Sequence, residues 1–414
     1  MKRCGRGRPW EGARTRGARM VLYDVCVVGA GIVGLTTAHV LTRAGLRVSV
    51  VDRAPTVAAG SSAMSSGQVE PVRVDHLRDY GDPAALGLRG VARVVLEHPR
   101  FTAEYLRYRL RLALQPGLAE RMTADIRGLA AAAMDEARGA GGPLLEGLFR
   151  VGRSTILTEC TFPMDPTDPS LAPKLSYRPY EMATASPRHV CERLAADCEA
   201  RGADLLLGRE CVGVKDGGEG EGGERGPAAV LTREGPIHAR RVVLCPGADA
   251  DRWVPHVPVW GLIREFRHPA AAKGLFGTAD VVMVSLPKPA PGQQAYVCLV
   301  ETEGERALRL GGGAIAGGPP PTVGAFGPIA ERLKGAGPPL RDWVGCRAVS
   351  PDGAPVIGRL PGHRDVYVNC GQSFWGWTLS FGCARVLCAH LVEGKAIPAT
   401  FDPARFVFGG DRRA

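Results

Sequence analysis

Short apolar runs and stretches with apolar residues at helical spacing follow one another along this chain, and the pattern is clearest in residues 25–51. Residues 25–28 are apolar and mostly β-branched, which is typical of a strand buried on both faces. Helical spacing follows over residues 35–44, Gly45 ends that stretch, and a second apolar run covers residues 48–51. The first predicted elements are therefore a strand, a helix and a second strand.

The rest of the chain mixes the same two patterns. Helical spacing recurs over residues 101–138, 189–200 and 379–391. Short apolar runs that predict strands cover residues 204–207, 212–214, 229–232, 241–244, 281–286 and 295–300. This mixture predicts an α/β fold. The apolar positions of residues 101–138, such as Leu106 and Leu110, predict a core or an interface, and they leave a peripheral membrane contact open.

The turn between the first strand and the first helix is Gly29-Ala30-Gly31-Ile32-Val33-Gly34, the glycine spacing that binds a dinucleotide. Gly29 allows a tight turn, Gly31 lets the backbone approach a pyrophosphate, and Gly34 lets the helix pack closely on the sheet. The N-terminus of that helix attracts the phosphates. Asp52 ends the second strand, where a carboxylate accepts hydrogen bonds from the adenosine ribose, and an acid there favours FAD or NAD over NADP.

Composition and charge limit the other function classes. With 414 residues, 45% of them hydrophobic, the chain is long enough for two domains. Seven basic residues and one acid in the first twenty account for six of the ten net charges, so the remaining +4 gives little support to nucleic-acid binding. No apolar run reaches the roughly 18–20 residues that span a bilayer.

The first twenty residues are predicted to be a disordered leader outside the fold. A transit segment, or an upstream start before a true beginning at Met20, are the alternatives. The twelve cysteines include no CxxC pair and no repeated spacing. This pattern favours reduced thiols in the cytoplasm or the mitochondrial matrix, and it predicts no metal site.

Three further stretches carry a resemblance to a known family. The first is a serine-rich loop that ends in Ser65-Ser66-Gly67-Gln68. The second, WVGCRAVSPDGAPVIG at 343–358, is similar to the pattern WxGxRPxxPDGxPxIG, and the third, NCGQSFWGWT at 369–378, is similar to NxGHGxxGWT. With the glycine turn, these stretches resemble the D-amino-acid oxidase/dehydrogenase (DAO) superfamily of FAD enzymes, above all the D-amino-acid dehydrogenases of the small-subunit type.

The resemblance implies a Rossmann-like FAD-binding domain and a second, mainly antiparallel β-sheet substrate domain that carries helices. The FAD-binding domain is expected to be discontinuous, with residues 21–80, 181–250 and 345–405. Residues 81–180 and 251–344 are expected to form the substrate domain.

The same resemblance, together with the glycine turn, assigns the FAD contacts. Backbone amides of the stretch 371–378, just before a helix, are expected to face the N1/C2 edge of the flavin and to stabilise the negative charge of its reduced form. The predicted FAD contacts are Gly29, Ala30, Gly31, Ile32, Val33, Gly34, Asp52, Arg53, Ser61, Ser62, Ser66, Gly67, Gln68, Val212, Gly247, Gly371, Gln372, Gly376, Trp377 and Thr378.

Arg347 lies where relatives hold the carboxylate of an amino acid, and a guanidinium fixes a carboxylate through two parallel hydrogen bonds. The resemblance therefore implies a D-amino acid or a related secondary amine as substrate. Hydride transfer from Cα to flavin N5 gives an imino acid, which water converts to a 2-oxo acid and ammonia. No protein base is needed, and His39, His189, His238, His363 and His390 are interpreted as structural or surface residues.

Departures from the family pattern keep two alternatives open. The family's GHG is Gly371-Gln372-Ser373 here, and its RP is Arg347-Ala348. Gln372 donates hydrogen bonds but does not titrate near neutral pH. The alternatives are an FAD-dependent 2-hydroxy-acid dehydrogenase and a non-catalytic flavin-binding subunit. The electron acceptor also stays open between oxygen, a quinone and a carrier protein.

Overall fold

The structure is a computed structural model that describes residues 22–70, 87–139, 143–157, 175–218, 226–267, 281–286, 295–302, 305–327 and 338–406. The predicted leader, residues 1–20, lies outside the described residues.

The described residues form long helices and two sheets. The helices are α1 (Ile32–Arg43), α2 (Gly87–Glu97), α3 (Pro99–Leu114), α4 (Leu118–Ala137), α5 (Pro187–Ala200) and α6 (Gly376–Glu393). The strands are β1 (Tyr23–Val28), β2 (Val48–Asp52), β3 (Gln68–Val69), β4 (Phe149–Leu157), β5 (Leu175–Ala185), β6 (Asp204–Leu207), β7 (Cys211–Lys215), β8 (Ala228–Thr232), β9 (Gly235–Leu244), β10 (Val257–Arg267), β11 (Val281–Leu286), β12 (Ala295–Thr302), β13 (Glu305–Ala316), β14 (Arg341–Val349), β15 (Val356–Arg359) and β16 (Val366–Cys370).

The first sheet has the order β15-β16-β9-β1-β2-β6, with the β7–β8 hairpin attached to β9. Strands β1, β2, β6, β9 and β16 run parallel. Alternate residues of β1 point to opposite faces: Val25 and Val27 join a core with α1, α4 and α6, whereas Cys26 joins a second core with β8 and β9. The predicted strand, helix and strand thus form a Rossmann-like unit, as expected.

The second sheet has the order β14-β10-β13-β12-β11-β4-β5-β3. Its neighbouring strands are antiparallel except for the parallel pair of β4 and β11. The prediction of a second, mainly antiparallel sheet is therefore confirmed.

The helical pattern of residues 101–138 is interrupted, because α3 ends at Leu114 and α4 begins at Leu118. Pro116 cannot continue a helix, and Gly117 has the left-handed φ of +78° that suits a turn. Helix α4 packs its apolar face against α6, in a core that also includes α1 and β1, although α4 lies in the predicted substrate segment. The domain boundaries themselves stay a prediction. Among the helices of the described ranges, none has the length and apolar content needed to cross a bilayer.

Candidate active site

The glycine turn at the end of β1 is closely packed. Gly29 has a φ of +112°, and a Cβ at this position would overlap the carbonyl oxygen of Cys245, just beyond β9. A Cβ at Gly34 would overlap the carbonyl oxygen of Gly29. Larger residues would push α1 away from the turn, so both glycines bring the N-terminus of α1 next to the ends of β1 and β9.

The serine-rich loop lies across the N-terminus of α1. The Ile32 backbone N–H donates to Ser62 Oγ at 2.9 Å, and a Cβ at Gly31 would come equally close to that hydroxyl oxygen. Ser61 and Ser62 are both partly exposed. The Ser62 hydroxyl oxygen therefore lies at the helix N-terminus, the place where a helix attracts a phosphate oxygen.

Asp52 is fixed by backbone donors at the tip of β2. Its Oδ2 accepts from the Ala30 N–H at 2.7 Å, and its Oδ1 accepts from the Ala54 N–H at 2.8 Å. Arg53 turns instead toward Asp249, with 3.0 Å between guanidinium nitrogen and carboxylate oxygen. Asp249 belongs to the helical turn that begins at Gly247, so the structure brings four predicted FAD contacts, Ala30, Asp52, Arg53 and Gly247, to one edge of the first sheet.

Val212 lies near the same edge, on β7. Its side chain is about half exposed, and the chain just before β7 is tied to β2 because the Arg209 N–H donates to the Asp52 carbonyl oxygen at 2.9 Å. An exposed valine at this corner offers an apolar surface for a flat ring such as adenine. The predicted contact of Val212 with FAD stays a prediction.

The turn before α6 has an unusual backbone. Gly371 and Ser373 both have positive φ, of +72° and +52°, and the value at Ser373 is strained for a residue with a Cβ. Helix α6 begins at Gly376, earlier than predicted, so Gly376, Trp377 and Thr378 lie in its first turn. The backbone N–H groups of a first helical turn have no partner within the helix, so they are available to a ligand.

Side chains in this first turn also indicate a site. A Cβ at Gly376 would meet no atom within 4 Å. The indole Nε1 of Trp377 is buried without a hydrogen-bond partner among the described residues. Thr378 Oγ1 accepts from the Glu70 N–H at 3.2 Å, which ties the end of β3 to α6.

Two predicted FAD contacts direct their side chains into the protein interior. The Gln372 amide donates to Asn369 Oδ1 at 2.8 Å, and Asn369 in turn donates to Thr37 on α1. The Gln68 amide nitrogen lies 2.9 Å from the sulfur of Met283 and 2.6 Å from that of Cys298. Any contact of Gln372 or Gln68 with a cofactor would therefore come from the backbone.

The serine-rich loop also brings Ser66 and Gly67 to the second sheet. Ser66 is buried. Gly67 has a φ of +64°, and a Cβ there would overlap the carbonyl oxygen of Ala185 at the end of β5. The loop is thus held between the first helix and the second sheet.

Arg347, the predicted carboxylate clamp, extends over a glycine of the neighbouring strand. Its guanidinium carbon lies 4.8 Å from the centroid of the Phe374 ring, and its Nη1 donates to the Gly313 carbonyl oxygen at 3.3 Å. A Cβ at Gly261 on β10 would overlap the guanidinium. The missing side chain at Gly261 therefore makes the space that Arg347 occupies.

Tyr296 on β12 lies beside Arg347 and escaped the sequence analysis. Its hydroxyl is 3.3 Å from Ser66 Oγ, and a Cβ at Gly311 would overlap its ring. Burial raises the pKa of Tyr296, and the nearby positive charge of Arg347 only partly opposes this shift. The phenol consequently stays protonated at neutral pH. Gly261 lies inside β10 and Gly311 inside β13. A glycine within a strand often marks a close approach, and these two were the available signal for this pocket.

A buried ion pair joins the second sheet to the serine-rich loop. Arg309 Nε donates to Glu265 Oε2 at 2.7 Å, and Arg309 Nη1 donates to the Ser65 carbonyl oxygen at 2.6 Å. The guanidinium carbon also lies 5.2 Å from the centroid of the Trp343 ring. Neither Arg309 nor Glu265 was predicted, since nothing in the sequence indicates which charged strand residues pair.

His256 is a further neighbour of the site that was not predicted. It is buried, and its Nε2 faces Gly371 so closely that a Cβ at Gly371 would overlap it. Burial lowers the pKa of His256 from 6.5 to about 4, so the ring is neutral at physiological pH. By contrast, His39 lies away from the glycine turn, and its Nδ1 forms a 2.8 Å hydrogen bond with Asp197 Oδ2, as expected for a structural histidine.

The PDG stretch of the second motif has a structural role. Asp352 and Arg405 form a buried ion pair with a nitrogen–oxygen distance of 2.7 Å, and Asp352 also accepts from the Ala354 N–H. The pair fastens the turn before β15 to the short helical turn Pro403–Arg405.

The arrangement fits an adenine dinucleotide. The glycine cradle, the helix N-terminus beside Ser62, the exposed Val212 and the first turn of α6 could hold its adenosine, pyrophosphate and isoalloxazine parts in order. Within the described ranges, no group of three or more His, Cys, Asp or Glu side chains is placed to bind a metal ion.

Comparisons with known proteins agree with this geometry. The family model DAO, described as FAD dependent oxidoreductase, matches residues 24–390. A D-amino acid dehydrogenase of Cereibacter sphaeroides is 27% identical over an alignment that covers 90% of this chain and 92% of the relative.

Two solved structures have a similar fold. Glycine oxidase from Bacillus cereus has a TM-score of 0.61 at 16% identity and covers 91% of this chain and 96% of its own. L-proline dehydrogenase from P. horikoshii has a TM-score of 0.59 at 19% identity, and the match covers 94% of this chain and 98% of the dehydrogenase. The family match confirms the predictions of FAD as cofactor and of oxidoreductase activity. Because the match extends over most of its length, the chain belongs to the DAO family of FAD-dependent oxidoreductases.

Proposed function

We propose that this enzyme oxidises a D-amino acid, or a related secondary amine, to an imino acid that water hydrolyses; a primary amine yields a 2-oxo acid and ammonia. The observation that carries the proposal is the position of the Arg347 guanidinium, in the space left by Gly261 and over the ring of Phe374. The similarity to the D-amino acid dehydrogenase of Cereibacter sphaeroides supports the choice of substrate class.

Arg347 is suited to bind a carboxylate. Packing on Phe374 restricts the plane of its guanidinium, and a fixed plane favours two parallel hydrogen bonds to one carboxylate. Among the described residues it makes one hydrogen bond, to the Gly313 carbonyl oxygen, so donors remain for a ligand. A positively charged, partly exposed and oriented guanidinium selects an anionic substrate end.

The clamp lies next to the turn that is predicted to hold the flavin edge. Phe374 belongs to the same short turn, Ser373–Trp375, that leads into α6. FAD, when bound, accepts the two electrons and the hydrogen that leave the substrate. The residues of this chain would fix the carboxylate at Arg347 and present the protonated Tyr296 hydroxyl and Ser66 Oγ as polar neighbours. Orientation by these groups, rather than a titrating base, would supply most of the rate.

The test is steady-state turnover with a dye as electron acceptor. D-amino acids, L-amino acids, secondary amino acids and 2-hydroxy acids are compared for the protein and for Arg347→Lys and Arg347→Met. Losing the paired hydrogen bonds is expected to raise KM for carboxylated substrates by about a hundredfold, while bound FAD keeps its visible spectrum. Arg359→Met, an exposed arginine on β15, is the matched control and should leave KM unchanged.

Other outcomes would point elsewhere. Turnover of 2-hydroxy acids alone would favour the dehydrogenase alternative. Full FAD occupancy with no turnover of any compound would favour a flavin-binding subunit. An unchanged KM in Arg347→Met would remove Arg347 from the substrate site.

A further inference from the structure

Helix α3 exposes a row of leucines. Leu106, Leu110 and Leu114 follow one another at intervals of four residues and therefore lie on one face of the helix. Their side chains are 62%, 60% and 70% exposed. We call these three residues the leucine face. A contiguous exposed apolar row of this kind is uncommon on a soluble surface unless something covers it.

The opposite face of α3 attaches the helix to the protein. Tyr108 and Leu112 pack against the core formed by α4 and its neighbours, and Phe101 packs on a cluster that also contacts Phe374. Glu104 is buried on the same side. One face of α3 is therefore packed on the protein, whereas the residues of the leucine face are not members of these two clusters.

The exposed charged side chains of α3 itself are all arginines. Arg100, Arg107, Arg109 and Arg111 are exposed, and the acid of this helix, Glu104, is buried beside Arg107 at 2.7 Å. With 100° per residue, Arg109 falls on one flank of the leucine face, and the other three arginines fall on the opposite flank. An apolar stripe between two basic flanks is the pattern of a helix that lies in a membrane interface.

We propose that α3 docks this enzyme on an anionic membrane surface, with the leucine face in the acyl boundary and the flanking arginines at the lipid phosphates. Long arginine stems can bury their methylenes while the guanidinium stays at the headgroups. A second copy of the chain is a poorer occupant, because two-fold pairing of α3 would set arginines against arginines. The proposal is independent of which amine the enzyme oxidises.

Vesicle flotation of the full chain with FAD bound tests the proposal. Phosphatidylcholine vesicles are compared with vesicles that also contain phosphatidylserine. Binding is expected only with phosphatidylserine and should weaken as salt shortens the screening length. The double variant Leu106→Gln, Leu110→Gln should bind at least about tenfold more weakly, because two apolar anchors are lost.

Two further variants complete the test. Arg109→Gln with Arg111→Gln should reduce binding to phosphatidylserine vesicles by about tenfold, since each arginine near an anionic surface contributes to attraction. Leu340→Gln removes a leucine that is 49% exposed outside α3, and it should leave binding unchanged. The visible FAD spectrum reports that each variant is folded.

The proposal is overturned if the full chain stays unbound with both kinds of vesicle, or if the leucine variant floats as well as the parent. A parent that dimerises in solution and becomes monomeric in the leucine variant, without floating, would assign the face to a second copy instead.

Discussion

Arg309 on β13 donates a 2.7 Å hydrogen bond to the carboxylate of Glu265, which lies directly opposite on β10, and both side chains are buried. The same guanidinium reaches the carbonyl oxygen of Ser65. A charge inside the second sheet thus fixes the loop that places Ser62 at the N-terminus of α1. Since that loop is predicted to contact FAD, the pair links the second sheet to the predicted cofactor site.

Replacing Arg309 by Met should weaken both stability and FAD retention. The change leaves the Glu265 carboxylate buried, with Arg341 at 3.9 Å as its remaining ion-pair partner in the part of the chain that the structure describes, and it removes the tether to Ser65. Breaking a buried pair costs about 3 kcal/mol of unfolding free energy. Chemical denaturation and FAD titration measure the two effects.

The double variant Arg309→Met, Glu265→Met separates the effect on stability from the effect on FAD retention. Replacing both charges by apolar groups should restore most of the stability, whereas the missing Ser65 tether should keep FAD affinity low. If the double variant regains FAD affinity as well, Arg309 does not position the loop.

A methyl group at Gly261 should disturb substrate binding without removing the cofactor. In Gly261→Ala, the new Cβ overlaps the Arg347 guanidinium, so the clamp must leave its place over Phe374. We expect KM for the amine substrate to rise by about a hundredfold, as for loss of Arg347 itself. Gly128→Ala on α4, where a Cβ meets no atom within 4 Å, is the control. Equal kinetics in both alanine variants would speak against this role of Gly261.

Asp52→Asn should reduce FAD affinity. Both carboxylate oxygens of Asp52 accept from backbone N–H groups, of Ala30 and Ala54, and an amide nitrogen would face one of these donors. A mispaired donor costs about 1–3 kcal/mol, which corresponds to a rise of roughly 5- to 150-fold in the FAD dissociation constant. Fluorescence titration of the apoprotein with FAD measures it. An unchanged constant would remove Asp52 from the predicted ribose site.

His256 should make the folded protein sensitive to mild acid. Burial lowers the pKa of its ring from 6.5 to about 4, against the smaller raising effects of the Val254 carbonyl oxygen, Asp251 and Asp352. In the unfolded chain His256 is therefore protonated below about pH 6.5, whereas in the folded chain it is protonated only below about pH 4. Stability is fully present above pH 6.5 and falls as the pH decreases through this window, by about 3 kcal/mol in total.

Denaturation curves across this pH range check the effect. His256→Gln removes the titrating ring, so its unfolding free energy should fall less steeply between pH 6.5 and pH 4. His189→Gln on α5 controls for the loss of one histidine. Parallel slopes for His256→Gln and the parent would contradict the assignment.

The predictions that held rest on short-range patterns. The strand β1, the glycine turn, α1 and β2 with Asp52 at its end all follow from consecutive residues, so periodicity and turn chemistry were sufficient. The strands β6, β11 and β12 were also predicted, because short apolar runs identify them without knowledge of their partners.

The contacts that were missed depend on strand pairing. Gly261 accommodates Arg347 because β10 pairs with β14, and Arg309 meets Glu265 because β10 also pairs with β13. The register between distant strands depends on the packing of the whole sheet, and it cannot be predicted from the sequence of either strand alone. Periodicity also predicted a single apolar stripe over residues 101–138. In the structure this stretch forms two helices, and Met122 on α4 is buried whereas Leu106 on α3 is exposed. The FAD and substrate contacts of individual residues stay predictions.

The most direct measurement is the visible spectrum of the purified protein before and after anaerobic addition of single D-amino acids, with Arg347→Met in parallel. We predict a flavin spectrum in both proteins and bleaching by at least one D-amino acid in the parent, at concentrations about a hundredfold below those the variant needs. Flavin that stays oxidised with every D-amino acid and secondary amine, or equal bleaching of the variant, would contradict the proposed function.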